Sequence, residues 1–184
     1  DRGYIIYTDG ALYTVDLSTL ACAPTTFRSG QLGLDTESGI AAVGSGASER
    51  LYFYGIPTGS ATPILAVSDT TGFVLTKVGD ISPTPPAGSY PVNLTSDFMG
   101  RLYAFSPLGL VQKIDSASGA VLQGVDTAVT SMGTWATITY GTNLYLWVQS
   151  KVVGYDLASR SRTSDRDAGV NAIGAGSFVV CGGP

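Results

Sequence analysis

Histidine is absent from the 184 residues, and its absence removes more chemistry than any other feature of the sequence. Ser-His-Asp and Cys-His arrangements need an imidazole base, as do the commonest general-base and zinc sites. The two cysteines, Cys22 and Cys181, make no zinc site without histidine partners. Paired carboxylates could still hydrolyse glycosides. Asp35 with Glu37 and Asp165 with Asp167 have i, i+2 spacing, which on a strand would put both acids on one side. Both pairs lie in polar, glycine-containing text that reads as loop, where acidic residues are ordinarily solvated. The stretches "DTESG" (35–39) and "SDRDAG" (164–169) lack the Asp-x-Asp/Asn-x-Asp/Asn-Gly spacing of a calcium loop and read as surface turns. "GSGAS" (44–48) and "GAGSF" (174–178) do not lead into a helix as a phosphate loop does. The sequon "NLT" (93–95) lies in a strand-like run. The expectation is a non-enzymatic chain with no cofactor and no metal site.

Partners are bounded by charge. The formal net charge is −4 and there is no basic run, which argues against nucleic acid. No apolar stretch approaches the ~18 residues of a membrane-spanning helix. Charged residues make up 13% of the chain, well below the roughly 25% of an average soluble protein, while glycine reaches 24 residues. Few lysines and many serines, threonines and tyrosines fit an exported protein. The opening "DRGYIIYTDG" already has a strand pattern, so the chain reads as a single domain, 1–184, of mature or trimmed form. A Cys22–Cys181 disulfide would close a very long loop and be worth roughly 5 kcal/mol in the chain-entropy model. Two inert buried thiols are the alternative.

The elements that must position these residues repeat. "LYTVDLSTLAC" (12–22), "ILAVSDTTGFVL" (64–75), "LVQKIDSASGAVL" (110–122) and "VVGYDLASRSR" (152–162) each carry an apolar alternation, a small polar residue and a short turn. The turn position is assigned to Asp16, Ser68, Asp115 and Asp156, spaced 52, 47 and 41 residues. An Asp or Ser there accepts backbone N–H groups two residues on and closes the turn. Four residues later stand Leu20, Gly72, Gly119 and Arg160, glycine supplying positive φ where it is present. "RLYFYG" (50–55), "RLYAFS" (101–106) and "NLYLWV" (143–148) precede three of these hairpins. Further strand-like runs precede them in turn: "SGIAAVGSG" (38–46), "YPVNLTSD" (90–97) and "TWATITYG" (134–141). A unit of four short antiparallel strands, a to d, every 40–50 residues is the signature of a β-propeller blade. The N-terminal segments read as strands b, c and d. "GVNAIGAG" (169–176) and "SFVVCG" (177–182) read as strands a and b. The expected fold is all-β, a small propeller of four blades, its ring closed by N- and C-terminal strands. Tyr13, Tyr52, Tyr103 and Tyr145 follow the repeat and read as packing residues.

The combination "GALYTVDLSTLACAPTTFRSGQLGL", "ERLYFYG", "TSDFMGRLYAFSP…IDSASGAVLQ" and "AIGAGSFVVCGGP" resembles the propeller-like domain of predicted secreted or surface lipoproteins of myxobacteria. The resemblance runs along nearly the whole chain and is firmest around Cys22 and at the Gly-Ala-Gly…Cys ending. It implies a Cys22–Cys181 disulfide, since both positions match cysteines of that family. It carries no assigned activity and no functional residue.

The function expected is that of a secreted or cell-surface bacterial module, outer-membrane-associated or extracellular, that binds a protein or glycan in adhesion or assembly. A structural subunit of an extracellular polymer, self-associating through strand edges, and a lectin-like sugar binder are the alternatives, with a carboxylate-based hydrolase behind them. In an a–b–c–d meander the b–c and d–a connections share one end of the ring, and the long ones are "IPTGSATP" (56–63) and "DISPTPPAGSYP" (80–91). They make Thr58, Thr84 and Tyr90 binding candidates, with Trp135 added because it opens a strand-a run.

Overall fold

In the computed structural model, residues 2–7, 9–86, 89, 92–97, 99–130 and 135–169 are described, without the side chains of 35–38 and 135. Among the described residues fifteen strands form four antiparallel sheets, arranged as a four-bladed β-propeller. The first sheet holds β1 (Arg2–Ile6), β2 (Leu12–Asp16) and β3 (Cys22–Pro24). The second holds β4 (Leu34–Val43), β5 (Arg50–Pro57), β6 (Ile64–Asp69) and β7 (Thr76–Asp80). The third holds β8 (Asn93–Ser96), β9 (Leu102–Phe105), β10 (Leu110–Ile114) and β11 (Val121–Asp126). The fourth holds β12 (Trp135–Tyr140), β13 (Asn143–Val148), β14 (Lys151–Asp156) and β15 (Ser161–Asp167). The meander order b–c–d and a–b–c–d is that read from the sequence. The segments expected to close the ring, 169–176 and 177–182, lie outside the described residues apart from Gly169.

Apolar text on both faces of strands β5 and β9 has a direct cause: the second and third sheets are each packed on both sides. One cluster joins the first and second sheets through Leu12, Phe27, Leu51, Phe53 and Ile64, with Phe27 stacked on Phe53 at 5.3 Å. A second joins the second and third through Tyr54, Leu65, Leu94, Leu102 and Ile114. A third joins the third and fourth through Tyr103, Phe105, Val111, Leu144 and Leu146. Successive side chains of a strand point to opposite faces, so Leu102 and Ala104 serve the second cluster and Tyr103 and Phe105 the third.

Innermost strands are clipped together by hydroxyl groups. Ser96 Oγ donates to the Ala42 carbonyl at 2.5 Å, and Thr139 Oγ1 donates to the Ser96 carbonyl. Ala42, Ser96 and Thr139 occupy one register position, each opposite the leucine near the start of its strand b.

The c–d turns share one design. Asp16 Oδ1 accepts from the Ser18 and Thr19 amides at 2.8 and 3.0 Å. Asp69 Oδ1 accepts from those of Thr71 and Gly72 at 2.9 and 2.6 Å. Asp115 accepts from the Ala117 amide and the Ser118 hydroxyl, and Asp156 from the Ala158 and Ser159 amides. Four residues after each, Leu20, Phe73, Gly119 and Arg160 all have φ between 53 and 79°. In the second sheet the turn residue is therefore Asp69, not Ser68, and the left-handed residue is Phe73, not Gly72. Ser68 points inward, 2% exposed, and its hydroxyl has no partner among the described residues. A one-residue slip moves a side chain to the other face, and "VSDTTG" offers both a Ser and an Asp to a sequence reading.

These turns make an acid-sensitive feature. The Ser18 hydroxyl and the Thr19 and Ser18 amides hold Asp16 down at about 2, and the Gly72 and Thr71 amides do the same for Asp69. Both lie below the ordinary ~3.9 of an unfolded-chain aspartate. Their contribution to stability is thus complete above about pH 4 and is lost as the pH falls through about 2. Asp69→Ala is expected to lower Tm at pH 7, and the gap to the parent protein to close between pH 4 and 2. A gap that stays constant over that interval overturns the assignment.

Candidate binding cavity between the third and fourth sheets

The described parts of the connections that the sequence singled out make contacts of their own. Thr58 is tied back to the start of β4: its amide and hydroxyl both donate to the Gly33 carbonyl, at 2.6 and 3.0 Å. Its hydroxyl therefore holds the loop in place instead of facing a partner. The connection from β7 to β8 is pinned by Ile81 and Val92, which are buried in the second cluster, and by Ser89, which is 1% exposed. Val121 N donates to the Ser82 carbonyl at 2.7 Å, so this connection also grips the c–d turn region of the third sheet. Thr84 is exposed between these anchors. Trp135 opens β12, paired with Val148, and its side chain is outside the description. Tyr90 and Cys181 lie outside the described residues, and Cys22, exposed at the start of β3, has no disulfide partner among them. Thr58 lies in the b–c connection and Thr84 in the d–a connection of the second sheet.

The carboxylate pairs are placed differently from expectation. Asp35 and Glu37 lie within β4, at its bulges opposite β5, and Asp165 and Asp167 lie within β15, not in loops. Asp165 is paired with Arg162 at 2.6 Å, and both side chains are nearly half exposed. Asp167 accepts from the Gly169 amide, which lowers its pKa. Among the described residues no group of three or more acids or cysteines could hold a metal ion.

The tyrosines of the repeat share one register position on strand b. The pairings Tyr4↔Thr14, Tyr52↔Val67, Tyr103↔Lys113 and Tyr145↔Gly154 each lie two residues before a turn aspartate. The first-sheet member of the tyrosine series is thus Tyr4 on β1; Tyr13 is on β2, edge-on to Tyr7 at 5.4 Å.

This register allows the three grooves between successive sheets to be compared position by position. In the first groove Glu49, with only 11% of its side chain exposed, receives Arg2 at 2.8 and 3.1 Å and the Tyr4 hydroxyl at 2.5 Å. Tyr4 also meets Phe73 edge-on at 6.4 Å. Burial, then Glu49, drives the Tyr4 pKa upward. The preceding connection seals the same groove: Gln31 donates to the Phe73 carbonyl at 3.1 Å and accepts from the Leu75 amide at 2.8 Å.

The third groove is built on the same plan with different residues. Arg101 stands where Arg2 does and Tyr103 where Tyr4 does, but Thr142 replaces Glu49 and Arg160 replaces Phe73. Lys113 occupies the position of Thr14 and Val67. The connection that leads into the fourth sheet anchors on Gly109 through Thr127, and none of its described residues bonds to the turn 157–160. What remains is a cavity of about 230 Å³. Its third-sheet wall carries Arg101, Tyr103, Lys113 and Gln123 above Val111 and Val125; its fourth-sheet wall is Thr142, Tyr155 and the turn from Leu157 to Arg160.

Electrostatically this wall is cationic. Arg101, Lys113 and Arg160 line the cavity and no acid does. Asp97, whose side chain is fully buried behind Arg101, takes Arg101 Nε at 2.6 Å and the Tyr103 hydroxyl at 3.3 Å. Burial, helped by Asp97, pushes the Tyr103 phenol up to about 12. The Tyr155 hydroxyl donates to the Arg160 carbonyl at 2.7 Å, fixing the turn over the cavity.

Sequence reading had passed over this site. It lies at the a–b and c–d end, where short uniform turns had promised little, and it unites residues as far apart as Arg101 and Arg160. The one local signal was Lys113, a cation in the otherwise apolar alternation "LVQKI".

No protein-family model matches the sequence, and no curated protein does. The fold does have solved counterparts. A chain of the nidogen/laminin complex is similar with a TM-score of 0.56 at 16% identity, over 93% of this chain and 62% of that one. The Pan2 WD40 domain of Neurospora crassa gives 0.52 at 12% identity, over 95% and 54%. Hydrazine synthase of Kuenenia stuttgartiensis gives 0.52 at 14%, over 89% and 48%. The chain spans about half to three-fifths of the length of these proteins. At such identities the likeness is one of fold.

Proposed function

We propose that the chain is a non-enzymatic binding module of a secreted or cell-surface bacterial protein, with a protein or glycan as ligand. The observation that carries this reading is the inequality of the two ends. One is closed by four aspartate turns of common design, whereas the other bears the 58–63 and 81–92 connections of the second sheet, held in place by buried anchors. Long ordered loops on a rigid scaffold are where propellers and other folds carry recognition, and prolines 83, 85 and 86 reduce the entropy lost when such a loop is bound. The nidogen/laminin structure supports the reading, because there a chain of this fold is part of a complex between proteins. The charged text of β15, "SRTSDRD", discourages pairing along that strand edge, so the reading rests on the loops and not on strand addition.

The test is a cell-surface pull-down and a glycan array with the intact chain, repeated after residues 82–90 are replaced by a short Gly-Ser link. Loss of binding at least tenfold in a still-folded variant is expected. Unchanged binding overturns the loop assignment, and turnover of a glycan by the parent protein overturns the non-enzymatic reading. Exported proteins form disulfides, so intact mass without reductant is expected to show Cys22 and Cys181 joined. Two free thiols in protein purified from an oxidising compartment would contradict that.

A further inference from the structure

The third groove has no carboxylate on its facing sheet, whereas the first groove has one in Glu49. In the first, the Glu49 carboxylate sits between Arg2 and Tyr4 at 2.5–3.1 Å. In the third, Arg101 and Tyr103 take Asp97 of their own sheet instead, Thr142 on the facing sheet brings no carboxylate, and the space beside Lys113 and Arg160 is open. We propose that this cavity binds a small organic carboxylate, its acid group held by Lys113, Arg160 and the free face of Arg101.

Three observations converge on that ligand. Lys113 and Arg160 have no ion-pair partner among the described residues. The fold does not demand these cations, since the equivalent positions hold threonine, valine or glycine for Lys113 and leucine, phenylalanine or glycine for Arg160. A half-buried lysine on an intersheet face is costly without an anion, so an anion is the natural complement. The chain as a whole carries −4, so this concentration of positive charge runs against its own average.

Size and wall chemistry narrow the class. About 230 Å³ is below the ~300–1,000 Å³ of pockets for drug-sized molecules, so the guest is a single acid with a small body, such as an acidic monosaccharide or an aryl carboxylate. Val111, Val125 and Leu157 offer that body an apolar rest, and Gln123 adds an amide that can donate or accept. Guanidinium groups favour a planar two-oxygen acceptor. No residue of the 58–63 or 81–92 connection lines the cavity, so this inference stands apart from the reading above, and either can fail alone.

The chain offers its own test. Thr142→Glu places a carboxylate at the register position of Glu49, and is expected to raise Tm and to abolish ligand binding together. Titration of the intact parent chain with glucuronate and with benzoate, followed by backbone amide shifts, is expected to saturate with a dissociation constant on the order of 1 mM or tighter. Glucose and benzyl alcohol are expected to produce no shift at the cavity. Lys113→Gln and Arg160→Gln are each expected to weaken carboxylate binding about tenfold, whereas Arg162→Gln, outside the cavity, leaves it unchanged. Absence of carboxylate binding, equal binding of the neutral analogues, or binding indifferent to Lys113→Gln and Arg160→Gln overturns the proposal. Inorganic phosphate binding as tightly as the carboxylates overturns the assignment to carboxylates.

Discussion

Gly39→Ala is expected to cost 3 kcal/mol or more of stability, at or above the top of the usual overpacking range of ~1–3 kcal/mol. A Cβ on Gly39 would stand 2.7 Å from Leu94 N, 2.9 Å from Leu94 Cβ and 3.0 Å from the Val92 carbonyl. All three neighbours belong to the inner edge of the next sheet, and two are backbone atoms that cannot rotate away. Relief would need β4 and β8 to separate, which would pull Leu94 and Val92 out of the second apolar cluster. Gly124→Ala is the natural comparison. Its Cβ would meet only Leu110 Cδ1, at 3.7 Å, and Gly124 has no positive φ. Alanine is worth roughly 0.5–1 kcal/mol over glycine in a strand interior, so that variant is expected to be neutral or slightly stabilised. Urea unfolding of both measures the difference. A Gly39→Ala protein within 1 kcal/mol of the parent would show that the inner strands are not in close backbone contact.

Asp97→Ala is expected to cost about 3–5 kcal/mol, the range for breaking a buried ion pair from one side. The lost carboxylate accepts from the Met99 and Arg101 amides, both at 3.0 Å, besides Arg101 Nε and the Tyr103 hydroxyl. Four donors would be left unmet beside the third cluster. A second readout separates this from generic damage. Burial is the first cause of the raised Tyr103 pKa of about 12, and the charge on Asp97 is the second. Without that charge the phenol is expected to titrate closer to 10, visible as tyrosinate absorbance appearing earlier in an alkaline titration. Destabilisation with no change in that titration would mean that Asp97 acts on Arg101 alone.

Legibility from sequence divides along the range of the interactions. The aspartate turns could be read because each is closed within four residues, by an Asp and the amides just after it. The strand order followed, since only one meander fits hairpins so spaced. Ser68 was taken for Asp69 because the turn signal in "VSDTTG" is doubled, and only the pairing Arg50↔Asp69 resolves it. Phe73 and Arg160 at positive φ could not have been foreseen from residue type. Local turn geometry overrides side-chain preference there. The cavity was out of reach for another reason. Lys113 and Arg160 are 47 residues apart, and what makes them neighbours is the packing of one sheet on the next. What makes them conspicuous is Glu49, in a different groove altogether.

Each apolar cluster belongs to two adjacent sheets, and no described cluster spans three. Cooperativity in this molecule is therefore transmitted hand to hand. Through these described clusters a perturbation in the first sheet reaches the fourth by way of the second and third, attenuated at every seam, in the manner of a one-dimensional chain of coupled units. The second and third sheets, with a cluster on either side, form the thermodynamic keystone. Their amides should be the last to exchange with solvent deuterium, while the outlying strands β3 and β15 open in brief local excursions long before the whole molecule lets go.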